Sequence, residues 1–142
     1  MTRRPPIVAP KPAAPPLLVA QKMEAVIEYG YIALRDFPRT ERHVMSQEIR
    51  LAMWSILRGL IYASKYPRHR TPAEELGLHR RLRQLDGDIE LLRRQLRLAM
   101  SLTYLPLKRY EVWSRRLNEV GAIVGTWRLK LQAREGQSAW RH

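Results

Sequence analysis

The chain has 142 residues and carries 26 lysine and arginine residues against 13 acidic residues, a formal net charge of +13. It contains no cysteine, which excludes a disulfide scaffold, a cysteine-ligated metal site and thiol catalysis. The length predicts one domain with a real core, and the charge favours an acidic partner, with nucleic acid ahead of an anionic membrane or an acidic protein.

Proline marks out the beginning of the chain. Six of the ten prolines lie in residues 1–16, which predicts an extended or disordered proline-rich tail without a core. A first helical segment follows from about Leu17 to Phe37, before Pro38. Its apolar residues recur in steps of three and four, as on one face of a helix: Met23, Val26, Ile27, Gly30, Leu34 and Phe37.

Two further helices are predicted in the middle of the chain. The second segment starts at Thr40 as N-cap, with Glu41 in its first turn, and stops near Tyr66. The third segment opens with Thr71-Pro72-Ala73-Glu74, a capping box with proline at the first helical position. The apolar residues of this third segment follow a near-heptad spacing: Leu78, Leu82, Leu85, Ile89, Leu92, Leu96 and Ala99.

The fourth segment begins at Pro106 and has one apolar side that includes Trp113, Leu117 and Trp127. No segment of useful length alternates with a period of two, so no strand is predicted. We therefore predict an all-α protein, an antiparallel up-down-up-down four-helix bundle over residues 17–135. Residues 136–142 are predicted to be a frayed C-terminal tail.

Several apolar or small residues fall outside the helix seams when the segments are drawn at 100° per residue. Two glycines four residues apart on the fourth segment would also let another backbone approach closely. These positions have two interpretations, either the wide apolar faces of a squat bundle or the interface of a homo-oligomer. The candidate partner or oligomer interface consists of Tyr29, Ile32, Trp54, Leu91, Leu98, Leu102, Gly121 and Gly125.

Residues that would carry catalysis form no recognised pattern. None of the four histidines has a second histidine or a carboxylate at metal-ligand spacing, and there is no phosphate-binding loop or nucleophile elbow. We predict no enzyme activity, no cofactor and no metal, with a nuclease or other enzyme as a disfavoured alternative. No run of about 18 apolar residues is present, so no membrane-spanning helix is expected.

Basic residues concentrate in two places, and both are predicted to bind nucleic-acid phosphates, although a solvated basic face is the common alternative. The candidate nucleic-acid-binding residues around the second and third segments are Arg58, Lys65, Arg68, Arg70, Arg80, Arg81 and Arg83. A second patch on the fourth segment consists of Lys108, Arg115 and Lys130. Trp54 lies within an arginine-rich flank and either stacks on bases or belongs to the core or an interface.

Three phrases of the sequence are typical of a known family. Residues 29–43 read YGYIALRDFPRTERH and continue into Gln47-Glu48-Ile49-Arg50. Residues 108–117 read KRYEVWSRRL, followed by Gly121 and by Gly125-Thr126-Trp127. Over roughly residues 22–131 the chain resembles the accessory variability determinant proteins of diversity-generating retroelements. It is also similar to a wider group of four-helix proteins encoded within ribosomal RNA intervening sequences.

The resemblance implies a small basic four-helix bundle that forms a homopentameric barrel. It also implies binding to the retroelement's reverse transcriptase, template RNA and complementary DNA, in support of mutagenic copying, without an active site of its own. We expect a cytoplasmic protein of a bacterium or phage. The alternative is a general nucleic-acid-binding bundle without a polymerase partner. Because two basic surfaces repel, local acids are expected to help in polymerase contact: Glu41, Glu48, Glu111 and Glu119.

Overall fold

Four α-helices make up most of the part of the chain that the structure describes. The computed structural model describes the backbone of residues 15–140 and the side chains of residues 18–135. Within these residues the helices are α1 (Pro15–Leu34), α2 (Met45–Ser64), α3 (Pro72–Ser101) and α4 (Leu107–Trp140), with no strand. Each helix packs against two others in the order α1, α2, α3, α4 and back to α1, as in a four-helix bundle. The all-α prediction is confirmed.

One apolar stripe from each helix fills the core. All seven predicted seam residues of α3 are buried, and so are the apolar residues predicted for the first segment. On α2 the buried stripe consists of Ile49, Met53, Ile56, Leu60 and Ala63. On α4, Trp113 is completely buried, whereas Trp127 is only half-buried. Full burial of a leucine, isoleucine or methionine side chain contributes about 1.5–3 kcal/mol, so these stripes supply the main stabilisation of the bundle.

The two ends of the helical region differ from the sequence expectation. Helix α1 begins at Pro15, inside the predicted tail, because proline is tolerated in the first turn, where its missing N–H has no partner to lose. Residues 1–14 of that tail lie outside the described residues. Helix α4 continues through residues 136–140, where a frayed end was expected, since no proline interrupts it and Gly136 costs only about 1 kcal/mol. No described helix is both long and apolar enough to cross a membrane.

The prediction that α2 starts at Thr40 is wrong. Thr40 lies in a short 3-10 helix, Arg39–Glu41, and α2 begins at Met45 after an N-cap residue, Val44, without a side-chain cap. Glu41 is drawn away from α2 because the Tyr104 hydroxyl donates a hydrogen bond to its carboxylate, at 3.3 Å. The Tyr104 ring also packs against Phe37, with ring centroids 6.0 Å apart. Tertiary contacts with the α3–α4 loop therefore override the local capping signal.

The predicted capping box at the start of α3 is confirmed. The Thr71 hydroxyl accepts a hydrogen bond from the Glu74 N–H at 3.2 Å, and the Glu74 carboxylate accepts one from the Thr71 N–H at 3.0 Å. Pro72 occupies the first helical position. Such a cap contributes about 1 kcal/mol and fixes where the α2–α3 loop ends. The loop's basic residues are thereby placed directly beside the first turn of α3.

Gly30 permits the closest approach between helices. A Cβ atom on Gly30 would lie 2.7 Å from both Met53 Sδ of α2 and Trp113 Cζ2 of α4. Because real Cβ atoms are not found so close to other heavy atoms, a side chain at position 30 would push α1 away from its two neighbours. Gly87 of α3, in contrast, has open space in front of it.

The two glycines give a matched test of this close approach. Gly87→Ala should stabilise the protein by about 0.5–1 kcal/mol, because alanine is the better helix former and meets no obstacle. Gly30→Ala should destabilise it, because overpacking against the Trp113 ring costs about 1–3 kcal/mol and exceeds the helix-propensity gain. Urea unfolding of both variants measures the difference. A Gly30→Ala protein at least as stable as the parent would show that the α1 contact is loose.

Candidate functional site

Most of the predicted phosphate-binding cations form no ion pair within the described part of the chain. Among the described residues, ion pairs join Lys22 to Glu119 at 2.9 Å, Arg109 to Asp36 at 3.1 Å and Arg128 to Asp86 at 3.0 Å, with further pairs around Glu75 and Glu90. Of the candidate nucleic-acid-binding residues, only Arg70 takes part in a described ion pair. The others keep their full charge for a partner.

A basic surface forms where the α2–α3 loop meets the last turns of α4. Arg68, His69 and Arg70 of the loop line one depression together with Arg134 of α4. Lys130 lines an adjoining cavity with Arg70 and Arg134. We call these five residues the basic end.

Arg70 anchors the basic end within the fold. Its Nε donates to the Glu75 carboxylate, and its Nη1 donates to the Pro67 carbonyl at 3.0 Å. His79 of α3 connects the same region to α4, because its Nε2 lies 3.1 Å from a Glu135 carboxylate oxygen. The loop is therefore held in place by contacts of its own, while Arg68 and His69 remain exposed.

Arg58 and Arg81 line a second basic feature, a groove between α2 and α3. The Arg81 guanidinium lies 5.1 Å from the centroid of the Tyr62 ring, in a cation–π contact that fixes its position. Asp88 lies in the same groove, where burial raises the pKa of its carboxyl. The groove thus places two arginines near a carboxyl group that is harder to ionise than a solvated one.

The second predicted patch is not a patch in three dimensions. Lys108 and Lys130 are 22 residues apart on the continuous helix α4, which separates them by about 33 Å. Lys130 belongs to the basic end instead, and Lys108 and Arg115 are exposed in the first half of α4. The remaining candidates Lys65, Arg80 and Arg83 are exposed as well.

The candidate interface residues fall into two groups. Leu91, Leu98 and Leu102 are 54%, 55% and 51% exposed, and their spacing of seven and four places them on one strip of α3. Ile32 and Trp54 are also exposed, near the α1–α2 boundary. Trp54 is not a core residue, since its indole N–H donates to the Tyr31 hydroxyl at 3.0 Å on the surface.

The other three interface candidates are only partly available to a partner. Tyr29 is half-buried, with the Arg116 guanidinium 5.0 Å from its ring centroid. The space in front of Gly121 is filled by the Arg93 side chain of α3 in the same chain, whereas Gly125 has open space. The two glycines therefore do not form one free face, which corrects the helical-wheel expectation.

Two of the four acids expected at a polymerase contact are already engaged. Glu41 accepts the hydrogen bond from Tyr104, and Glu119 is paired with Lys22, whose hydrogen bond lowers the pKa of that carboxyl. Glu48 and Glu111 are exposed and belong to no described ion pair. These two remain as candidates for contact with a basic partner.

Sequence reasoning missed the cavity beside Trp127. The helical pattern places Trp127 on the apolar side of the fourth segment and gives no role to Arg134. Trp127, Lys130 and Arg134 are spaced by three and four residues on α4, so they share one face, which is the signal that the sequence offered. The walls contributed by Leu18 and Arg70 are distant in sequence and appear only in the folded chain.

Comparison with known proteins assigns the chain to a family. The family described as bAvd-like matches residues 17–131, which span α1, α2, α3 and most of α4. The chain therefore belongs to the bAvd-like family, and the resemblance to accessory variability determinant proteins is confirmed. No curated protein matches the chain.

The basic end makes a specific prediction about salt dependence. Arg68→Gln with Arg134→Gln should lower the slope of log affinity against log salt for single-stranded RNA by about 1.4, since each lost phosphate contact removes about 0.7. The control, Arg35→Gln with Arg39→Gln, removes the same charge from exposed residues near the α1–α2 connection. Fluorescence anisotropy with a labelled, unstructured RNA measures both slopes. Equal losses in the two variants would mean that only net charge matters.

Proposed function

We propose that this member of the bAvd-like family is a non-enzymatic accessory subunit of a diversity-generating retroelement that acts in the bacterial cytoplasm. In this role it binds the reverse transcriptase, the template RNA and the complementary DNA, and it supports mutagenic complementary-DNA synthesis. The observation that carries the proposal is the family match over residues 17–131. The unneutralised basic surface adds physical support for the nucleic-acid part.

The proposed mechanism is positioning by charge. Arg68 and Arg134 at the basic end, and Arg58 and Arg81 in the α2–α3 groove, present guanidinium groups that pair with phosphate oxygens in two-pronged geometry. Phosphate contacts fix the path of a strand without reading its sequence. A scaffold of this kind holds a template in place while the polymerase performs the chemistry.

The arrangement of carboxylates supports a role without catalysis. Glu75 holds Arg70, Asp86 pairs with Arg128, and Glu90 pairs with two arginines on its own helix. An arginine at each of these carboxylates occupies oxygen atoms that acid–base catalysis would need, and at Glu90 the hydrogen bonds from Arg94 and Arg93 also lower the pKa of the carboxyl. The dense acids of α3 thus serve the structure of the surface.

The proposal has two structural parts: the helices of one chain run antiparallel, and five chains assemble into a pentamer. Along α1 the ion pairs run from Lys22 to Asp36, and their partners on α4 run in reverse from Glu119 to Arg109, which supports an antiparallel direction. The exposed leucine strip of α3 (Leu91, Leu98 and Leu102) offers an apolar surface for another copy. Several copies would multiply modest phosphate contacts by avidity.

A general nucleic-acid-binding bundle without a polymerase partner is the second candidate function. The charge distribution supports this function as well as it supports the accessory role, because phosphate binding requires only exposed cations. The two candidates differ in whether a reverse transcriptase responds to the protein.

The leucine strip predicts the oligomeric state. Light scattering should give a mass several times 16.7 kDa, and five times that mass for a pentamer. Leu98→Glu should lower the mass, because a buried charge in an apolar interface is strongly unfavourable. Leu129→Glu is the control, since Leu129 is 67% exposed on α4. A parent protein of monomeric mass, or a Leu98→Glu protein of unchanged mass, would contradict the proposal.

Reconstitution of complementary-DNA synthesis tests the accessory role directly. Reactions contain the reverse transcriptase, its template RNA and either the parent protein, no protein, Glu48→Lys with Glu111→Lys, or the control Glu24→Lys with Glu28→Lys. Synthesis should require the protein and should fall with the first double variant only, because charge reversal there replaces attraction by repulsion. Both pairs consist of exposed acids, so the change in net charge is matched.

The outcomes separate the parts of the proposal. Equal synthesis in all four reactions would reject the accessory role and leave the general nucleic-acid-binding function. Synthesis that is lost only when the protein is absent would keep the role and reject Glu48 and Glu111 as polymerase contacts.

A further inference from the structure

A cavity of about 450 Å³ opens beside Trp127, where α1 begins and α4 nears its end. Its apolar wall is formed by Leu18, Ile123, Trp127 and Leu131. Trp127 is only half-buried, so one part of its indole packs on the core and another part faces the cavity. A cavity of this size and lining is typical of small-ligand sites.

The charged groups among the described residues that line the cavity are all cationic. They belong to Arg70, Lys130 and Arg134. Arg70 is already bonded to Glu75 and Pro67, but Lys130 and Arg134 belong to no described ion pair. Thr126 adds a hydroxyl group that can donate or accept a hydrogen bond. The combination fits a ligand with an apolar body and a negative charge.

The positive charge continues beyond the cavity. Arg70 and Arg134 also line the neighbouring depression, which holds Arg68 and His69. Of the acids at that depression, Glu75 is paired with Arg70, and Glu135 has a carboxylate oxygen 3.1 Å from His79 Nε2. A ligand with one carboxylate would leave this outer charge unused, whereas a ligand with several linked anionic groups would reach it.

We propose that the cavity binds a phosphorylated nucleoside. The base stacks on the indole of Trp127, and the phosphates lie against Lys130 and Arg134. Further phosphates extend toward Arg68. A base has a flat π-face that stacks on aromatic side chains, and phosphates pair with arginine and lysine. The base therefore contacts the apolar wall of the cavity, and the phosphates contact its cationic wall. The ligand is either a free nucleotide or an unstacked nucleotide of a single strand.

The nucleotide site extends the proposed function. It depends on nucleic-acid binding only where the nucleotide belongs to a strand, since binding of a free nucleotide requires neither RNA nor a polymerase.

Calorimetric titration of the full-length protein tests the site with three probes: adenosine triphosphate, inorganic tripolyphosphate and a short single-stranded RNA. The base should matter, so adenosine triphosphate should bind about tenfold more tightly than tripolyphosphate. Trp127→Leu should weaken adenosine triphosphate binding about tenfold, Trp127→Tyr should largely restore it, and Trp54→Leu on another surface should leave it unchanged. Ala122→Glu places an acid at an exposed position of the lining and should weaken it similarly.

The results have defined meanings. Tripolyphosphate that binds as tightly as adenosine triphosphate, or affinities unaffected by both Trp127→Leu and Ala122→Glu, would overturn the site. RNA binding that persists while adenosine triphosphate fails to bind would reject the nucleotide site and leave the proposed function intact. Adenosine triphosphate binding without RNA binding would keep the site, with a free nucleotide as its ligand, and would count against the proposed function. If Trp127→Leu weakens the binding of both the RNA and adenosine triphosphate, the nucleotide in the cavity belongs to a single strand.

Discussion

The close approach of α1 to α2 and α4 at Gly30 is the constraint on which the bundle depends. Met53 and Trp113, which lie against the missing side chain, are both completely buried. The Lys22–Glu119 and Asp36–Arg109 ion pairs lie on either side of this point along the α1–α4 boundary, so they form only if the two helices stay close. Exposed ion pairs of this kind contribute little stability. The buried contact at Gly30 therefore sets the distance between α1 and α4, and the ion pairs form as a consequence.

One apolar stripe from each helix fills this core, and the side chains outside the stripes lie at the surface. The chain cannot neutralise that surface itself, because 26 basic residues face 13 acidic ones. Even complete pairing would leave half of the cations without an acid. Self-repulsion of this size disfavours the compact state, and it is relieved when an anion binds. The basic end and the α2–α3 groove are the places where the fold concentrates this unbalanced charge.

Prediction from the sequence succeeded where the signal is local and failed where contacts are remote. The α3 seam and the Thr71 capping box depend on residues three or four positions apart, so periodicity and capping chemistry were sufficient. The start of α2 was mispredicted because Tyr104, far along the chain, holds Glu41. The Trp127 cavity needs walls from α1, the α2–α3 loop and α4 at once. The pentamer and the polymerase partner are proposals that rest on the family resemblance, since no residue spacing in one chain specifies a partner.

Along helix α3, the leucine strip proposed for self-association lies far from the basic end proposed for anion binding. The basic end lies at its first turn, and Leu98 is about 39 Å further along the helix. Residues 86–102, which include the leucine strip, hold three acids and three arginines and so carry no net formal charge: Asp86, Asp88, Glu90, Arg93, Arg94 and Arg97. The dense carboxylates thus have a physical role, since copies that meet through a neutral apolar strip avoid strong repulsion at the contact. The charge that remains at the basic ends still opposes assembly at long range. In the proposed assembly, anions bound at the basic ends would reduce this repulsion, and by thermodynamic linkage assembly would strengthen anion binding in return.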